Sequence, residues 1–170
     1  YRFMIFLVND ANILIDLLKI NLLDSFFRLE FDFQVTDMVF AEIREENVAE
    51  LERCIDLNLL TMQGFAFEDL LQIQLIEGNN PVLSIADCSC LYLAEKLSGT
   101  LLTGDGALRR IAEQQNIPVH GILWVLDELI TCGLLTKTEA HDKLLQLKEL
   151  NPRLPGHECQ KRLKAWKARP

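Results

Sequence analysis

Phe3-Met4-Ile5-Phe6-Leu7-Val8, followed at once by Asn9-Asp10-Ala11-Asn12, decides how this chain folds. An unbroken apolar run bounded by polar residues reads as a strand covered on both faces, because a strand with one wet face would alternate. Ile13, Leu17 and Ile20 then recur at helical spacing over Asn12 to Ile20, so the stretch forms a strand-turn-helix unit. Asp10 stands where the strand ends. In open parallel α/β sheets ligands bind in the crevice beyond the carboxyl ends of the strands. An acid at that place is a candidate for chemistry, provided other strands deliver partners to it.

Outward from this unit, Thr100-Leu101-Leu102-Thr103 is a second strand of the buried type, leading directly into Gly104-Asp105-Gly106 and a helix from Ala107 to Gln115. Leu22 to Leu29 reads as a short helix, and Phe31-Asp32-Phe33-Gln34-Val35 alternates with period two, the pattern of an edge-side strand. Thr36 or Asp37 can cap a helix carrying Met38, Val39, Phe40, Glu42 and Ile43. Helices are expected over Val48 to Leu57 and Phe67 to Ile76, with a short strand over Leu59 to Met62. Gly78-Asn79-Asn80-Pro81 is a loop, and Ser84-Ile85-Ala86-Asp87 matches a capping box that opens a helix to Leu97. A last short strand at Ile117-Pro118-Val119 precedes helices over Gly121 to Thr131 and Thr138 to Leu150. Strands alternating with helices imply a three-layer α/β/α fold around a central, mostly parallel sheet of four to five strands. Residues 1–150 are expected to form one domain. Residues 151–170, set off by Pro152, Pro155 and Gly156, form a basic helical tail docked on it by Leu163 and Trp166.

With 49% hydrophobic residues and only 8 Gly and 5 Pro in 170 positions, one compact domain can bury its apolar surface, and disorder is not expected. The five cysteines are odd in number and include no C-x-x-C pair, which favours reduced thiols in a cytoplasmic protein. His120, His141 and His157 are scattered, which argues against a zinc cluster. Apolar runs fall short of the roughly 20 residues that span a bilayer, and no charged-then-apolar leader stands before Phe3, so no membrane partner is expected. The net charge of −8 is uneven: residues 1–150 hold 24 acids against 11 Lys plus Arg, residues 151–170 one acid against six. An acidic body is a poor generic surface for nucleic acid. It suits a site that collects divalent cations, or a basic protein partner.

Two buried strands each end in an acid at a turn, Asp10 and Asp105, and that repetition is the chemical signal. Each acid also has a plainer account. Asp105 between glycines can be an N-cap, Asp87 the N3 member of its capping box, and Glu42 a solvated helix charge. Asp10 has the weakest such account, because it directly follows the apolar run.

Taken together, Asp10, Glu42, Asp87 and Asp105 resemble the acids of the PIN-domain nucleases in order, spacing and flanking residues. The matching segments are Val8-Asn9-Asp10-Ala11-Asn12, Met38-Val39-Phe40-Ala41-Glu42-Ile43, Ser84-Ile85-Ala86-Asp87 with the Leu91 to Ala94 helix, and Thr103-Gly104-Asp105-Gly106-Ala107-Leu108. The resemblance covers residues 1–130, and the layout of Gly121 to Trp166 is similar to bacterial PIN toxins of toxin-antitoxin pairs. It implies an endoribonuclease that hydrolyses phosphodiester bonds in single-stranded RNA with Mg²⁺ or Mn²⁺, restrained by a small antitoxin protein and associating as a homodimer. The four acids would be catalytic and metal-binding, Asp10 and Asp105 first, with Asn12 and Thr103 as hydrogen-bonding partners behind them.

Electrostatics agrees with such a site. Like charges ~4 Å apart repel by about 4 kcal/mol at an effective dielectric of 20, so clustered carboxylates need protons or cations. Mg²⁺ prefers oxygen ligands, keeps several waters, and is commonly held by one or two carboxylates. Arg109 and Arg110 can touch phosphates or form an ordinary helix-surface pair. Leu123, Trp124, Leu126 and Ile130 read as core or a dimer face, more than as a base-stacking platform. Lys161, Arg162, Lys164, Lys167 and Arg169 read as a solvated helix face, more than as an RNA-binding one. Leu14, Leu18, Leu22, Leu23, Phe26 and Phe27 exceed one inward stripe, which implies an exposed apolar interface there. Two rivals stay open. Haloacid-dehalogenase-like phosphohydrolases share an acid after a buried strand and a later Gly-Asp, but expect a second acid where Asn12 stands and further acids where Arg109 stands; a non-catalytic PIN-like module needs no metal at all.

Overall fold

The computed structural model describes residues 4–167. In chain order the elements are β1 (Ile5–Asn9), α1 (Ala11–Lys19), α2 (Leu23–Phe26), β2 (Phe31–Thr36), α3 (Asp37–Ala41), α4 (Glu45–Asp56), β3 (Thr61–Gln63), α5 (Phe67–Asn79), α6 (Ile85–Lys96), β4 (Thr100–Leu102), α7 (Gly106–Gln114), β5 (Val119–His120), α8 (Ile122–Thr131), α9 (Lys137–Leu150) and α10 (Gly156–Trp166). The five strands lie in the order β3-β2-β1-β4-β5 and every pairing is parallel. Parallel neighbours need crossover connections, and right-handed crossovers place the helices that lead outward to β3 and those that lead outward to β5 on opposite faces. The fold is therefore the three-layer α/β/α sandwich. Phe3, the first residue of the anticipated strand, lies outside the described residues.

The chain leaves β1 toward β2 and β3 on one side, then returns through α5 and α6 to place β4 on the other side of β1. That reversal is the topological switch point, where adjacent crossovers diverge and leave a crevice at the strand carboxyl ends. Leu7 and Val8 in β1 and Leu101 and Leu102 in β4 are completely buried, but Met4 and Ile5 are about half exposed, so the opening run is covered on both faces only toward its carboxyl end. The alternation in β2 marked an edge, but β2 lies between β1 and β3. Its polar positions are absorbed by partners: Gln34 Nε2 donates to Asp32 Oδ1 at 2.6 Å, and Gln63 Nε2 donates to Gln34 Oε1 at 2.8 Å.

The helix α6 shows almost no periodicity because it is enclosed, with Ala86, Cys88, Ser89, Cys90, Leu91, Leu93 and Ala94 all buried. Cys88 and Cys90 point to different sides and are both covered. The helix α5 runs on through Gly78 and Asn79, where a loop was anticipated. Its exposed face carries Phe67 and Leu75, 71% and 60% exposed. The apolar surface expected on α1 and α2 is not there: Leu14, Leu22, Leu23, Phe26 and Phe27 are buried and Leu18 is half-buried in the core. Phe26, Phe27 and Phe33 form a tight aromatic cluster with centroids 4.7 to 5.3 Å apart, which absorbs the excess. At the other end α9 is tied to α1 by Lys143 Nζ donating to the Ile20 carbonyl at 2.6 Å and Asn151 Nδ2 donating to Asp16 Oδ2 at 3.0 Å. The basic α10 packs on α9, with Cys159 and Trp166 buried.

Gly99 permits β4 to begin against β1. A Cβ there would lie 2.7 Å from the Phe6 carbonyl oxygen and 2.9 Å from Phe6 Cβ, both held by the sheet. Gly99→Ala is expected to lower stability in urea denaturation by about 1–3 kcal/mol, the usual cost of overpacking. Gly78→Ala, in a helical turn where an added Cβ meets nothing within 4 Å, is expected to raise it by about 0.5–1 kcal/mol.

Candidate active site

Asp10 is the first residue past β1 and the N-cap of α1, with Oδ1 accepting from the Ala11 amide at 2.8 Å. Its amide donates to the Leu102 carbonyl at 2.9 Å, so the end of β1 is fastened to the end of β4. Asp105 is the N-cap of α7, its Oδ1 accepting from the Leu108 amide at 2.8 Å. Between the two stands Thr103, completely buried. Its hydroxyl donates to Asp10 Oδ2 at 2.8 Å and accepts from the Asp105 amide at 3.0 Å. Residues separated by most of the sequence thus share one hydroxyl.

The other two acids arrive on helices. Asp87 closes the capping box of α6, its Oδ2 accepting from the Ser84 amide at 3.0 Å while Ser84 Oγ accepts from the Asp87 amide at 3.1 Å. Glu42 is the C-cap of α3 and faces solvent. Thr36 caps α3 through the Val39 amide at 3.0 Å and shares a 2.8 Å hydrogen bond with Ser89 of α6. That contact sets the C-cap of α3 beside the first turn of α6, and with it Glu42 beside Asp87.

The charges register this convergence. Burial pushes the Asp10 carboxyl up from 3.8 to about 6, helped by the carboxylates of Asp87 and Asp105 and opposed by the bonds from Thr103 and Ala11. Partial burial, then Asp87, raises Glu42. Fully enclosed Cys90 is raised by burial and then by Asp10, Asp87 and Glu42, so one thiol feels the charge of all three acids. Among the described residues no three His, Cys, Asp or Glu side chains stand close enough to one another to cage a metal ion. The donor set is nonetheless carboxylate oxygen throughout, its charge is uncompensated, and one buried oxygen nearby in the chain, Asn9 Oδ1, accepts no hydrogen bond. These features fit a hard cation held by one or two carboxylates and water, the usual mode for Mg²⁺.

A cleft of about 1030 Å³ opens beside the acids, lined on this side by Asn12, Glu42, Thr103 and Asp105 and on the far side by the segment from Leu150 to Arg162. Asp10 lies beneath Thr103, and neither it nor Asp87 reaches the cleft surface. Asn12 lines the cleft but makes no hydrogen bond to any of the acids. The tail residue Arg162 is bound to Asp127 at 2.8 Å and Glu158 at 2.9 Å, and Arg169 lies outside the described residues. In the sequence Cys90 and Gly121 have no part in the site, Trp124 reads as core or a dimer face and His120 as a scattered histidine, whereas in the structure His120, Gly121 and Trp124 form a wall of the cleft with Arg109. His120 follows the rule that found Asp10 and Asp105, since it closes a parallel strand at its carboxyl end. Arg109 stands one helical turn after Asp105, on the same face of α7.

The raised Asp10 has a thermodynamic consequence. The folded carboxyl holds its proton up to about pH 6 and the unfolded one only to 3.8, so the native state binds more protons between those values and stability falls as pH rises through them. Above pH 7 the ionised group costs of order 3 kcal/mol. Asp10→Asn is therefore expected to raise stability in urea melts at pH 8 with chelator by about 1–3 kcal/mol and to change it little at pH 4. An equal effect at both pH values would contradict the assignment.

The family model DUF3368, a PIN domain, matches residues 6–168. A search of curated proteins finds no match.

Proposed function

Because the chain belongs to the PIN-domain family, whose members are generally nucleases that typically use divalent metal ions, we propose that it is a Mg²⁺- or Mn²⁺-dependent endoribonuclease of single-stranded RNA, the toxin of a toxin-antitoxin pair. The observations that support this reading are the Thr103 hydroxyl shared by Asp10 and Asp105 and the electrostatic coupling of Asp87 to Asp10 and to Glu42, beside an open cleft. Asp10 and Asp105 would hold the cation, with Asp87 joining directly or through water and Glu42 orienting water from the cleft wall. When bound, such an ion supplies an activated water and offsets charge on the phosphodiester.

The chain's own groups prepare the place. Helix-capping bonds occupy one oxygen each of Asp10 and Asp105, and the Thr103 hydroxyl fixes the second oxygen of Asp10. Orientation is thus set before a ligand arrives, which is where a preorganised site gains its rate. Glu42 lines the cleft, where partial burial and then Asp87 raise its carboxyl, and from there it would orient a water.

A non-catalytic PIN module is the second reading with an observation behind it, because Asp10, Asp87 and Asp105 each already serve as helix caps. The dehalogenase-like reading is set aside by the family match and by Arg109 standing where that chemistry needs an acid. A small antitoxin protein and a second copy of this chain, meeting in the cytoplasm, belong to the same proposal. The apolar surface open to either lies on α5. No helix among the described residues is long and apolar enough to cross a membrane.

Purified protein with Mg²⁺ or Mn²⁺ is expected to cleave a labelled single-stranded RNA, and chelation to abolish the cleavage. Asp10→Asn and Asp105→Asn should each lower the rate by at least about 100-fold with unchanged circular dichroism. Mn²⁺ should also raise the melting temperature of the wild type and not of Asp10→Asn. Absence of both cleavage and thermal shift would favour the non-catalytic reading.

A further inference from the structure

Among the described residues the cleft wall carries five acids and five Lys or Arg side chains, and not all of the cations are used by the fold. Arg53, Lys96 and Arg162 are engaged in ion pairs, whereas Lys19, Arg44, Arg109 and Arg153 line the cleft and have no ion-pair partner among the described residues. Lys19 is offset by nearby Asp16, and the other three leave unpaired charge in a mixed wall that needs a reason. An anionic ligand that tracks the cleft supplies one.

Arg109 has a constructed seat. A Cβ on Gly121 would stand 3.0 Å from Arg109 Nη2 and 3.6 Å from the Thr103 carbonyl oxygen, so the missing side chain at position 121 leaves room for the guanidinium beside the strand end that carries Thr103 and Asp105. Next to it the His120 imidazole lies parallel on the Trp124 indole, centroids 4.4 Å apart and planes 7° from parallel. Trp124 is in turn backed by Phe31 at 5.7 Å. Burial and the adjacent Arg109 charge hold His120 below its ordinary value, leaving a neutral ring near neutral pH. A guanidinium that presents a fork of donors to a phosphate, next to a flat neutral aromatic pair, is the combination that grips one nucleotide of a single strand.

We propose that Arg109 is the phosphate-positioning residue of the cleft and that the His120–Trp124 stack receives the base of the nucleotide whose phosphate Arg109 holds. The assignment rests on the nuclease reading and gives it a substrate geometry: the strand runs along the cleft, with one phosphate carried by Arg109 within one helical turn of Asp105. It also gives the cleft a preference for unpaired strands, because a base within a duplex is not free to leave its stack for His120.

The test is fluorescence anisotropy with a single-stranded oligoribonucleotide in chelator, which withholds the metal that cleavage needs, over a range of salt. Arg109→Ala is expected to weaken binding at least about tenfold and to reduce the slope of log K against log salt by about 0.7, the share of one phosphate contact on a single strand. Arg109→Lys should restore the slope and only part of the affinity, since a point charge lacks the fork. Gly121→Ala should weaken binding by displacing the guanidinium. Arg110→Ala, on the exposed side of the same helix and off the cleft, should bind within about twofold of wild type. Replacing the bases by abasic sites should weaken the wild type and leave His120→Ala little changed. If the wild type binds and Arg109→Ala matches it in affinity and slope, the assignment is overturned and the nuclease reading survives. If the wild type does not bind single strands even at low salt, the reading falls and the assignment with it.

Discussion

One buried hydroxyl carries more of this architecture than its size implies. Thr103 Oγ1 donates to Asp10 Oδ2 and accepts from the Asp105 amide, so the ends of β1 and β4 and the starts of α1 and α7 are locked around a single atom. The lock sits at the topological switch point, where the sheet opens a crevice. It also holds a carboxylate where burial opposes its charge. Apolar packing at the strand ends could not orient Asp10 in this way, since dispersion is not directional and the hydroxyl bond is.

A second polar contact does the equivalent work on the other flank. Thr36 both caps α3 and meets Ser89 of α6, and Ser89 donates to the Ala86 carbonyl at 2.6 Å. Such a contact inside an enclosed helix is costly unless every group is satisfied. Here the Thr36 and Ser89 hydroxyls each make two bonds, and the result is a fixed relation between Glu42 and Asp87. The fold therefore uses hydroxyls beneath the acids as its framework, with Cys90 sealed under them. The thiol adds volume without competing for a cation, because burial keeps it protonated.

Cap and ligand are usually opposed explanations of an acid at a helix start. In this protein they coincide. Asp10, Asp87 and Asp105 each use carboxylate lone pairs for backbone amides, and a carboxylate has about four such sites. Capping orients the group and leaves further acceptor capacity. The cleft beside them sets Arg44, Arg109 and Arg153, outside any ion pair among the described residues, in a wall that acids also line.

The sequence alone determined the sheet class, the capped helix starts and which acids stand at strand ends. Each is a local matter: an apolar run such as Phe6 to Val8 cannot be left wet, Ser84 and Asp87 cap within four residues, and acids at strand ends follow from where parallel sheets open. Tertiary structure decided what depends on residues far apart. The period of β2 marked an edge, yet Gln34 is buried because Asp32 and Gln63 satisfy its amide, and no local pattern reveals a partner on the next strand. The aromatic excess around Phe26 and Phe27 suggested an exposed surface, but Phe33 closes over it from β2. The Arg109 seat needed Gly121, and the place of His120 needed the register of β5 on β4. A residue type fixes what a side chain can do; only the packing of distant segments fixes what it meets.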